Sequence, residues 1–438
     1  MFKEQGMINI QDKKACCGCG ACVQRCPKQC IVLHEDSEGF LYPVADASVC
    51  INCGLCEKVC PVINQHTAHE PLQTFAAKNP NEAVRAASSS GGVFTMLAER
   101  VIKSGGVVFG AAFDQQWKVV HTCATTIEGL QKFRGSKYLQ SQTNNTFREA
   151  EAYLKQGRQV LYSGTPCQVA GLKKYLRKDY DNLLTVDFIC HGVPSPGVFR
   201  TYLRDEINRL SARQGGGKNT VLLPCIPLVA ESDGLGGGEV KIQSVSFRDK
   251  RNGWKKFGFA LGLSKASAAG EKNSVSLSYS PLNKDLFMRG FLRDLYLRPS
   301  CYACPAKELK SGSDITLGDF WGIETLLPEL DDDRGMSAVT VNTEKGRALL
   351  QEINAELTEV AYNEVVKRNS ALVHSASEPK GRRAFFEADG LTFEAKIKKL
   401  TKTPFSWRLF VGKLAYSILP NKMLRNIIRH IRNIKKNK

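Results

Sequence analysis

The chain has 438 residues, of which 42% are hydrophobic and 24% charged, so it is long enough for more than one folded domain. Lysine and arginine outnumber aspartate and glutamate by 61 to 43, a formal net charge of +18. Ten of these cations and no acid lie in residues 401–438, so a tail carries much of the excess, and a nucleic-acid-binding protein gains little support. Residues 1–16 lack the apolar core of a signal peptide, and no apolar run reaches the length of a membrane span. Sixteen cysteines, ten of them before residue 61, predict a reducing compartment, the cytoplasm.

Two copies of the pattern Cys-x2-Cys-x2-Cys-x3-Cys-Pro open the chain. This is the spacing of a ferredoxin with two 4Fe-4S clusters, because three cysteines on one tight loop bind three irons and the fourth points to the other cluster. Zinc is the alternative, but four cysteines at this spacing do not divide into two zinc knuckles. The predicted ligands of the first cluster are Cys16, Cys19, Cys22 and Cys60, and those of the second are Cys26, Cys50, Cys53 and Cys56. Cys17 and Cys30 fall outside the pattern.

Pattern changes along the chain predict its domain organisation. A dicluster ferredoxin domain over residues 8–63 and a linker over 64–73 precede a larger domain over 74–385, with an insertion at about 213–238. A basic tail follows over 386–438. Strands alternate with helices in the larger domain, which predicts a mainly parallel sheet with antiparallel additions. The predicted fold class is therefore α+β for the ferredoxin domain and α/β for the rest.

The larger domain begins with a strand at 74–78 and the segment Ser88-Ser-Ser-Gly-Gly92 at the start of a helix. Free amide groups at such a helix start suit a phosphate, although the same residues also serve as ordinary N-caps. Strands at 107–113 and 119–124 precede Arg134-Gly-Ser-Lys-Tyr138, a cationic segment that by itself is typical of a solvated loop.

Two successive strands then each deliver a cysteine to the same edge of the predicted sheet. The strand at 159–162 runs into Ser163-Gly-Thr-Pro-Cys167, and the strand at 183–189 runs into Cys190-His-Gly-Val-Pro-Ser-Pro196. A helix follows each loop, and α/β proteins bind ligands at this carboxyl edge. Further on, strands at 240–247 and 254–263 are joined by a charged turn, and a Cys-x2-Cys turn follows.

The loop cysteines predict a third metal site if the loops converge, with Cys167, Cys190, Cys301 and Cys304 as its ligands. A third 4Fe-4S cluster, structural zinc and a redox-active dithiol of Cys301 and Cys304 all remain open. The two upstream clusters favour a third cluster. The dithiol is weaker because no strand-to-helix thioredoxin context surrounds Cys301.

Five of these motifs, behind a double-cluster ferredoxin, resemble the coenzyme F-420 hydrogenase/dehydrogenase beta-subunit family. They are Ser90-Gly-Gly92, Arg134-Gly-Ser-Lys-Tyr138, Gly164-Thr-Pro-Cys-Gln168, Cys190-His-Gly-Val-Pro194 and Gly318-Asp-Phe-Trp-Gly322. The resemblance covers about residues 10–385. It implies an iron–sulfur flavoprotein oxidoreductase with FAD in its α/β domain, which passes electrons between the clusters and a soluble hydride carrier, the deazaflavin coenzyme F-420 or another substrate.

The resemblance also implies site residues. The candidate flavin contacts are Ser90, Gly91, Gly92, Arg134, Gly135, Ser136, Lys137, Tyr138, Gly164, Thr165 and Pro166. Lys137 and His191 are the candidate catalytic residues. A cation such as Lys137 favours the anionic reduced flavin or binds the FAD pyrophosphate. His191 could donate a proton, although a lone histidine is more often structural.

The predicted partner is a redox protein or a small-molecule hydride carrier. The alternative function is an electron-transfer subunit that feeds a partner enzyme without small-molecule chemistry, as in the surface-polysaccharide gene clusters where members of the resembled family also occur. Nothing in the sequence resembles a nickel site. An apolar run at 405–419 and a basic amphipathic helix at 423–434 predict peripheral contact with the anionic inner face of the membrane. A solvated tail and a partner-docking segment are the alternatives.

Overall fold

The computed structural model describes residues 7–214, 240–265 and 274–402. The predicted insertion lies almost wholly outside these ranges. The apolar run and the amphipathic helix predicted for the tail also lie outside the described residues.

The ferredoxin domain is a short hairpin with two helices that each carry cysteines of the repeats. Its elements are α1 (Ala21–Arg25), β1 (Ile31–Glu35), β2 (Leu41–Ala45) and α2 (Leu55–Lys58). The two strands pair antiparallel. Each helix begins after a glycine in the left-handed region, Gly20 at φ 78° and Gly54 at φ 69°, a conformation that glycine adopts without steric cost.

The larger domain contains two sheets. Its strands are β3 (Gln73–Lys78), β4 (Val107–Phe113), β5 (Val119–Ala124), β6 (Val160–Ser163), β7 (Leu183–Phe188), β8 (Val240–Asp249), β9 (Gly258–Lys265), β10 (Ser274–Pro281), β11 (Ile315–Asp319), β12 (Ser337–Val341) and β13 (Glu356–Glu359). Its helices are α3 (Glu82–Ala87), α4 (Val93–Lys103), α5 (Thr146–Lys155), α6 (Pro166–Leu176), α7 (Pro196–Gln214), α8 (Leu286–Phe291), α9 (Ile323–Leu326), α10 (Glu344–Gln351), α11 (Tyr362–Arg368), α12 (Gly381–Glu387) and α13 (Phe393–Leu400).

The main sheet has the strand order β13-β3-β12-β11-β7-β6-β4-β5. Its middle strands β11, β7, β6 and β4 are parallel to one another. The outer strands on both sides pair antiparallel. The other sheet, β10-β9-β8, is antiparallel throughout. The predicted fold class, a ferredoxin-like domain before a larger α/β domain with antiparallel additions, is confirmed.

Both faces of the main sheet are buried. Neighbouring residues of a strand point to opposite faces, so they belong to different cores. On β4, Val108 belongs to the core beneath α4, whereas Phe109 belongs to the core beneath α5 and α6. The second core continues into the ferredoxin domain, where it includes Cys19. A Cβ on Gly171 of α6 would lie 2.8 Å from the Cβ of Cys19, so glycine at this position lets the domains approach closely.

The antiparallel sheet packs on α7 and α8 through aromatic side chains such as Phe199, Phe247 and Phe287. Helix α13 lies within the predicted tail, and it buries Phe393 and Ile397 in the same core. Among the described helices, none combines the length and the apolar character that a membrane crossing requires.

Candidate functional site

The cysteines predicted for the first cluster lie close together. Burial raises the pKa of Cys22, and the nearby Cys16 and Cys60 add to this effect. A hydrogen bond with Cys17 lowers the pKa of Cys19, but burial and the proximity of Cys22 and Cys60 outweigh it and raise this pKa. The four thiols that the repeat spacing assigns to one cluster are therefore close enough to affect one another's pKa.

The second set lines a small cavity of its own, which contains Cys26, Cys50, Cys53 and Cys56 and also Cys30. The Sγ atoms of Cys26 and Cys30 are 3.4 Å apart. Cys53 is exposed and Cys50 is half-buried, so this set faces the solvent more than the first. The chemistry of both donor sets, four converging thiols with apolar surroundings, fits a 4Fe-4S cluster.

Two strand-end loops and the Cys-x2-Cys turn meet in a further cavity of the larger domain. This cysteine cavity is lined by Cys167, Cys190, Cys301 and Cys304, with Cys17 of the ferredoxin domain as a fifth cysteine. Cys167 is the second residue of α6, Cys190 follows β7, and both loops leave the carboxyl edge of parallel strands. The sheet topology brings Cys167 and Cys190 to one edge, and the turn that carries Cys301 and Cys304 lies against this edge. The four cysteines that the sequence analysis grouped therefore lie together.

The thiols of the cysteine cavity have raised pKa values. Burial raises the pKa of Cys301 to about 12, and it also raises the pKa of Cys190 well above its usual value. A hydrogen bond with Cys17 and then burial raise the pKa of Cys167. Cysteines bind metal as thiolates, so metal binding here must displace protons. Within the described ranges no three His, Cys, Asp or Glu side chains are placed to hold a single metal ion.

His191 also lines the cysteine cavity. Its Nε2 lies 2.5 Å from Oδ1 of Asp294, and its side chain is 49% exposed. Lys307 stabilises the same loop, because its Nζ donates to the carbonyl oxygen of Cys190 at 2.6 Å and to that of Ala371 at 2.5 Å. His191 and Lys137, the two candidate catalytic residues, therefore line different cavities.

A second and much larger cavity, of about 1000 Å³, lies between α3 with the two serines after it, the Arg134–Tyr138 segment and β8. Its walls carry seven cationic side chains against three carboxylates. The cations are Lys132, Arg134, Lys137, Arg248, Lys250, Arg251 and Arg334, and the acids are Glu82, Asp249 and Asp333. This volume is at the upper end of that of small-molecule sites, and the excess of positive charge favours an anionic ligand. We call it the cationic cavity.

Arg248 is the most deeply buried cation of the cationic cavity, at 6% exposure. Its Nη1 donates to Oδ2 of Asp319, and its guanidinium lies 4.3 Å from the ring centre of Phe257. In the described part of the chain, Nε and Nη2 of Arg248 find no hydrogen-bond partner. A buried N–H group without a partner costs about 1 to 3 kcal/mol, so this arrangement indicates a ligand that supplies acceptors.

Lys137 is held at the wall of the cationic cavity by main-chain oxygens. Its Nζ donates to the carbonyls of Phe133, Arg134 and Gly135 at 3.2 to 3.3 Å. Burial lowers the pKa of Lys137 to about 8. Ser136 lines the same wall, and its amide donates to Oγ of Ser89 at 2.6 Å.

The Ser88–Gly92 segment turns only its first residues toward the cationic cavity, which is lined by Ser88 and Ser89. Oγ of Ser90 instead donates to the carbonyl of Met336 at 2.7 Å. A Cβ on Gly91 would lie 2.4 Å from the carbonyl oxygen of Ala77, so this glycine allows close packing on the sheet. Gly92 is the N-cap of α4, at φ 80°.

The remaining candidate flavin contacts lie elsewhere. Pro166 lines the cysteine cavity, and Thr165 is the N-cap of α6 with a capping box to Gln168. The Cβ position of Gly164 lies 3.3 Å from Nε2 of His121. The ring of Tyr138 packs on the rings of Phe247 and Phe291.

A row of aromatic rings connects the two cavities. The ring of Phe291 lies 5.8 Å from that of His191 and 5.1 Å from that of Tyr138. Tyr138 in turn lies 5.7 Å from Phe247, which lies 6.5 Å from Phe113 at the wall of the cationic cavity. Packed side chains therefore fill the space between the cysteine cavity and the cationic cavity.

Three models of protein families match the chain. The "Coenzyme F420 hydrogenase/dehydrogenase, beta subunit N-term" model matches residues 74–148, and the corresponding C-terminal model matches residues 157–211 and 239–364. The chain belongs to the family of coenzyme F420 hydrogenase/dehydrogenase beta subunits. The resemblance inferred from the five motifs is thereby confirmed. The C-terminal model includes Arg248 and the Gly318–Gly322 motif.

The "4Fe-4S dicluster domain" model matches residues 15–64, which agrees with the two cysteine repeats. This member of the F420 beta-subunit family is thus an iron–sulfur electron-transfer protein of an oxidoreductase family. None of the curated proteins matches the chain. A solved structure of the F420-reducing [NiFe] hydrogenase complex from Methanosarcina barkeri, a xenon derivative, aligns at 17% identity and a TM-score of 0.42. The alignment covers 69% of this chain and 91% of that chain.

Proposed function

We propose that this F420 beta-subunit family member is an iron–sulfur flavoprotein oxidoreductase, with a flavin in the cationic cavity and electrons entering or leaving through the ferredoxin domain. The observation that carries this proposal is the unpartnered guanidinium edge of Arg248 in a cavity of about 1000 Å³. FAD is a large anionic ligand, and its pyrophosphate and ring carbonyls offer the acceptors that Nε and Nη2 lack.

The other residues of the cationic cavity suit the same ligand. Ser88, Ser89 and Ser136 present hydroxyl groups at one wall, and Phe113 presents an apolar ring. Arg134 and Lys137 supply positive charge beside them. A bound flavin would supply the conversion between single electrons and hydride, which clusters alone do not perform. Lys137, with a pKa near 8, can carry or lose its proton within the range in which enzymes work.

We propose that the cysteine cavity holds a third 4Fe-4S cluster on Cys167, Cys190, Cys301 and Cys304. The convergence of four half-buried cysteines in one cavity supports this ligand set. Zinc is the alternative for four thiols, but no three such side chains of the described residues are placed around a single ion. Cys17 also connects the cavity to the first cluster site of the ferredoxin domain. The position of this cavity suits a cluster that relays single electrons between the two domains.

The test is anaerobic purification of the full chain, followed by iron and flavin counts and by reaction with reduced F420, NADH and NADPH. We expect about twelve irons and one flavin per chain, and bleaching of the visible spectrum by one of the hydride donors. A fully iron-loaded protein without flavin would contradict the proposal. Bound flavin that reacts with no hydride donor would favour the alternative, a subunit that only passes electrons to a partner enzyme.

The affinity for an anionic flavin is expected to fall as the pH rises through about 8. Burial lowers the pKa of Lys137 to about 8. The pKa of Lys250 is also lowered to about 8, mainly by burial and in addition by the positive charges of Arg248 and Arg85. Both lysines are therefore charged below this pH and become neutral above it, while the arginines stay charged. Each lost charge weakens binding by up to about tenfold per pH unit.

Fluorescence titration of the flavin-free protein with FAD, between about pH 6.5 and 9.5, measures this dependence. In the Lys137→Met variant the slope above pH 8 should become shallower, because only Lys250 still titrates there. Binding that is independent of pH in the unmodified protein would show that neither lysine faces the ligand.

A further inference from the structure

Arg298 joins the larger domain to the ferredoxin domain. Its main chain belongs to the loop of the cysteine cavity: its amide donates to the carbonyl of Val193 at 3.0 Å, and its own carbonyl accepts from the amide of Cys301 at 2.8 Å. Its side chain extends away from this loop into the ferredoxin domain and is fully buried, at 0% exposure. One residue therefore contacts both the cysteine cavity and the first cluster site.

The guanidinium of Arg298 contacts the first cysteine of the first cluster twice. Nε donates to the carbonyl oxygen of Cys16 at 2.7 Å, and Nη2 donates to the Sγ of Cys16 at 3.4 Å. Nη2 also donates to the carbonyl of Leu41 at 3.0 Å, and Nη1 donates to Oε1 of Gln140 at 2.8 Å. The guanidinium lies 4.2 Å from the ring centre of Tyr42.

The cluster loop is shaped around this side chain. Gly18 has a φ of +70°, and a Cβ there would lie 2.9 Å from Cζ of Arg298 and 2.3 Å from Nε2 of Gln140. That Nε2 donates to the carbonyl of Cys17 at 3.2 Å. Arg298 and Gln140 therefore hold the two adjacent carbonyl groups of Cys16 and Cys17.

The charge of Arg298 is compensated differently from that of other buried arginines. Those arginines pair with carboxylates: Arg85 with Asp332, Arg248 with Asp319 and Arg382 with Glu38. The hydrogen bonds of Arg298 go to carbonyls, an amide oxygen and a cysteine sulfur instead. A buried cation needs a nearby negative charge, and a cluster with four thiolate ligands supplies it.

We propose that Arg298 is a positioning residue that raises the reduction potential of the first 4Fe-4S cluster. A cluster gains one electron and one negative charge on reduction, so a fixed cation and an N–H···S bond stabilise the reduced form. The electron comes from the second cluster or an external one-electron donor, and Arg298 keeps its proton throughout. This inference rests on the clusters of the ferredoxin domain and does not depend on the flavin.

The test is a redox titration of the full-length protein, followed by electron paramagnetic resonance of the reduced clusters. The Arg298→Gln variant removes the charge but can still donate a hydrogen bond, so we expect one midpoint potential to shift downward and the others to stay. Arg298→Lys keeps the charge but cannot make both contacts to Cys16, so it should show a smaller downward shift. The reduced clusters give these signals whether or not a flavin is bound, so a missing flavin would not affect the result.

Arg382→Gln is the matched control. Arg382 spans the same domain interface, with Nη1 donating to Glu38 at 2.9 Å and Nη2 to the carbonyl of Leu297 at 3.3 Å, but its bonds reach no cysteine. Its removal should leave every potential at the original value. Unchanged potentials in Arg298→Gln with full iron content would overturn the proposal. If Arg298→Gln loses iron, unchanged potentials in Arg298→Lys would overturn the proposal. Loss of iron from both variants would also overturn it, because it would show that Arg298 has only a structural role.

Discussion

Flavin binding is expected to weaken by roughly 30-fold or more when Arg248 is replaced by methionine. Loss of one partner from a buried, charged hydrogen-bonding contact costs about 2 to 5 kcal/mol, and every 1.4 kcal/mol is about tenfold in affinity. Methionine keeps much of the length of the apolar stem but loses the guanidinium, which lies 4.3 Å from the ring centre of Phe257 and 5.4 Å from that of Trp321. The dissociation constant of FAD, measured by fluorescence quenching with the flavin-free protein, reports the change.

Arg251 offers the matched control for Arg248. It also lines the cationic cavity, but it is more exposed and already forms two hydrogen bonds with Asp249, at 2.7 and 2.8 Å. Arg251→Met should therefore change FAD affinity by less than about fivefold, since exposed ion pairs contribute about 1 kcal/mol at most. Equal losses in both variants would mean that only the overall charge of the cavity matters and that Arg248 has no specific contact.

Loss of Arg248 also leaves the carboxylate of Asp319 without its cation, which would destabilise the fold. The double variant Arg248→Met/Asp319→Asn separates the two effects, because it removes both charges together. We expect its free energy of unfolding to recover toward that of the unmodified protein while FAD binding stays weak. If the free energy of unfolding and FAD binding both recover, Arg248 stabilises the fold and makes no specific contact with the flavin.

The iron content is expected to fall by about four atoms per chain when Cys301 and Cys304 are both replaced by serine. Serine keeps the size of cysteine but is a poor ligand for cluster iron, so a cubane held by these two residues and by Cys167 and Cys190 would be lost. The clusters of the ferredoxin domain should remain, because their cysteines belong to a different part of the chain. Iron and acid-labile sulfide counts, with resonance spectra of the reduced protein, measure the loss.

Two single variants complete this experiment. Cys123 is half-buried on β5 and lies outside the cysteine cavity, so Cys123→Ser should keep the full iron content. Cys17 lies inside the cavity but outside the proposed ligand set, so Cys17→Ser should also keep it. A full iron count in the double variant Cys301→Ser/Cys304→Ser would exclude a cluster on these cysteines. A release of one zinc per chain in place of four irons would assign a structural zinc site.

The sequence was most informative where chemistry depends on local spacing. The two repeats predict their own cluster partition, because Cys16, Cys19 and Cys22 are fixed on one loop. The grouping of Cys167 with Cys190 follows from topology, since successive parallel strands end at one edge. The edge strand β10, Ser274–Pro281, was not predicted, although Val275, Leu277 and Tyr279 alternate with serines in the pattern of a half-buried strand.

The residues that the sequence analysis missed act through contacts between distant segments. The sequence analysis assigned Arg248 to a charged turn. Its place in the cationic cavity depends on the packing of β8 beside the Arg134–Tyr138 segment, which no local pattern shows. Arg298 belongs to no motif, and its partner Cys16 lies 282 residues away in the sequence. Cys17 falls outside the repeat spacing of the ferredoxin loop. This spacing carries no information on its contact with the cysteine cavity of the larger domain. No local pattern could have identified these three residues.

The convergence of β6, β7 and the Cys-x2-Cys turn has a consequence for the maturation of the chain. A cluster held by Cys167, Cys190, Cys301 and Cys304 would act as a cross-link that closes long loops, in the way that a disulfide or a structural metal does. It would form only after the main sheet has folded, since the sheet brings Cys167 and Cys190 to one edge. We therefore expect iron limitation during growth to yield chains that unfold at a lower temperature and are degraded sooner, even where their sheets are complete.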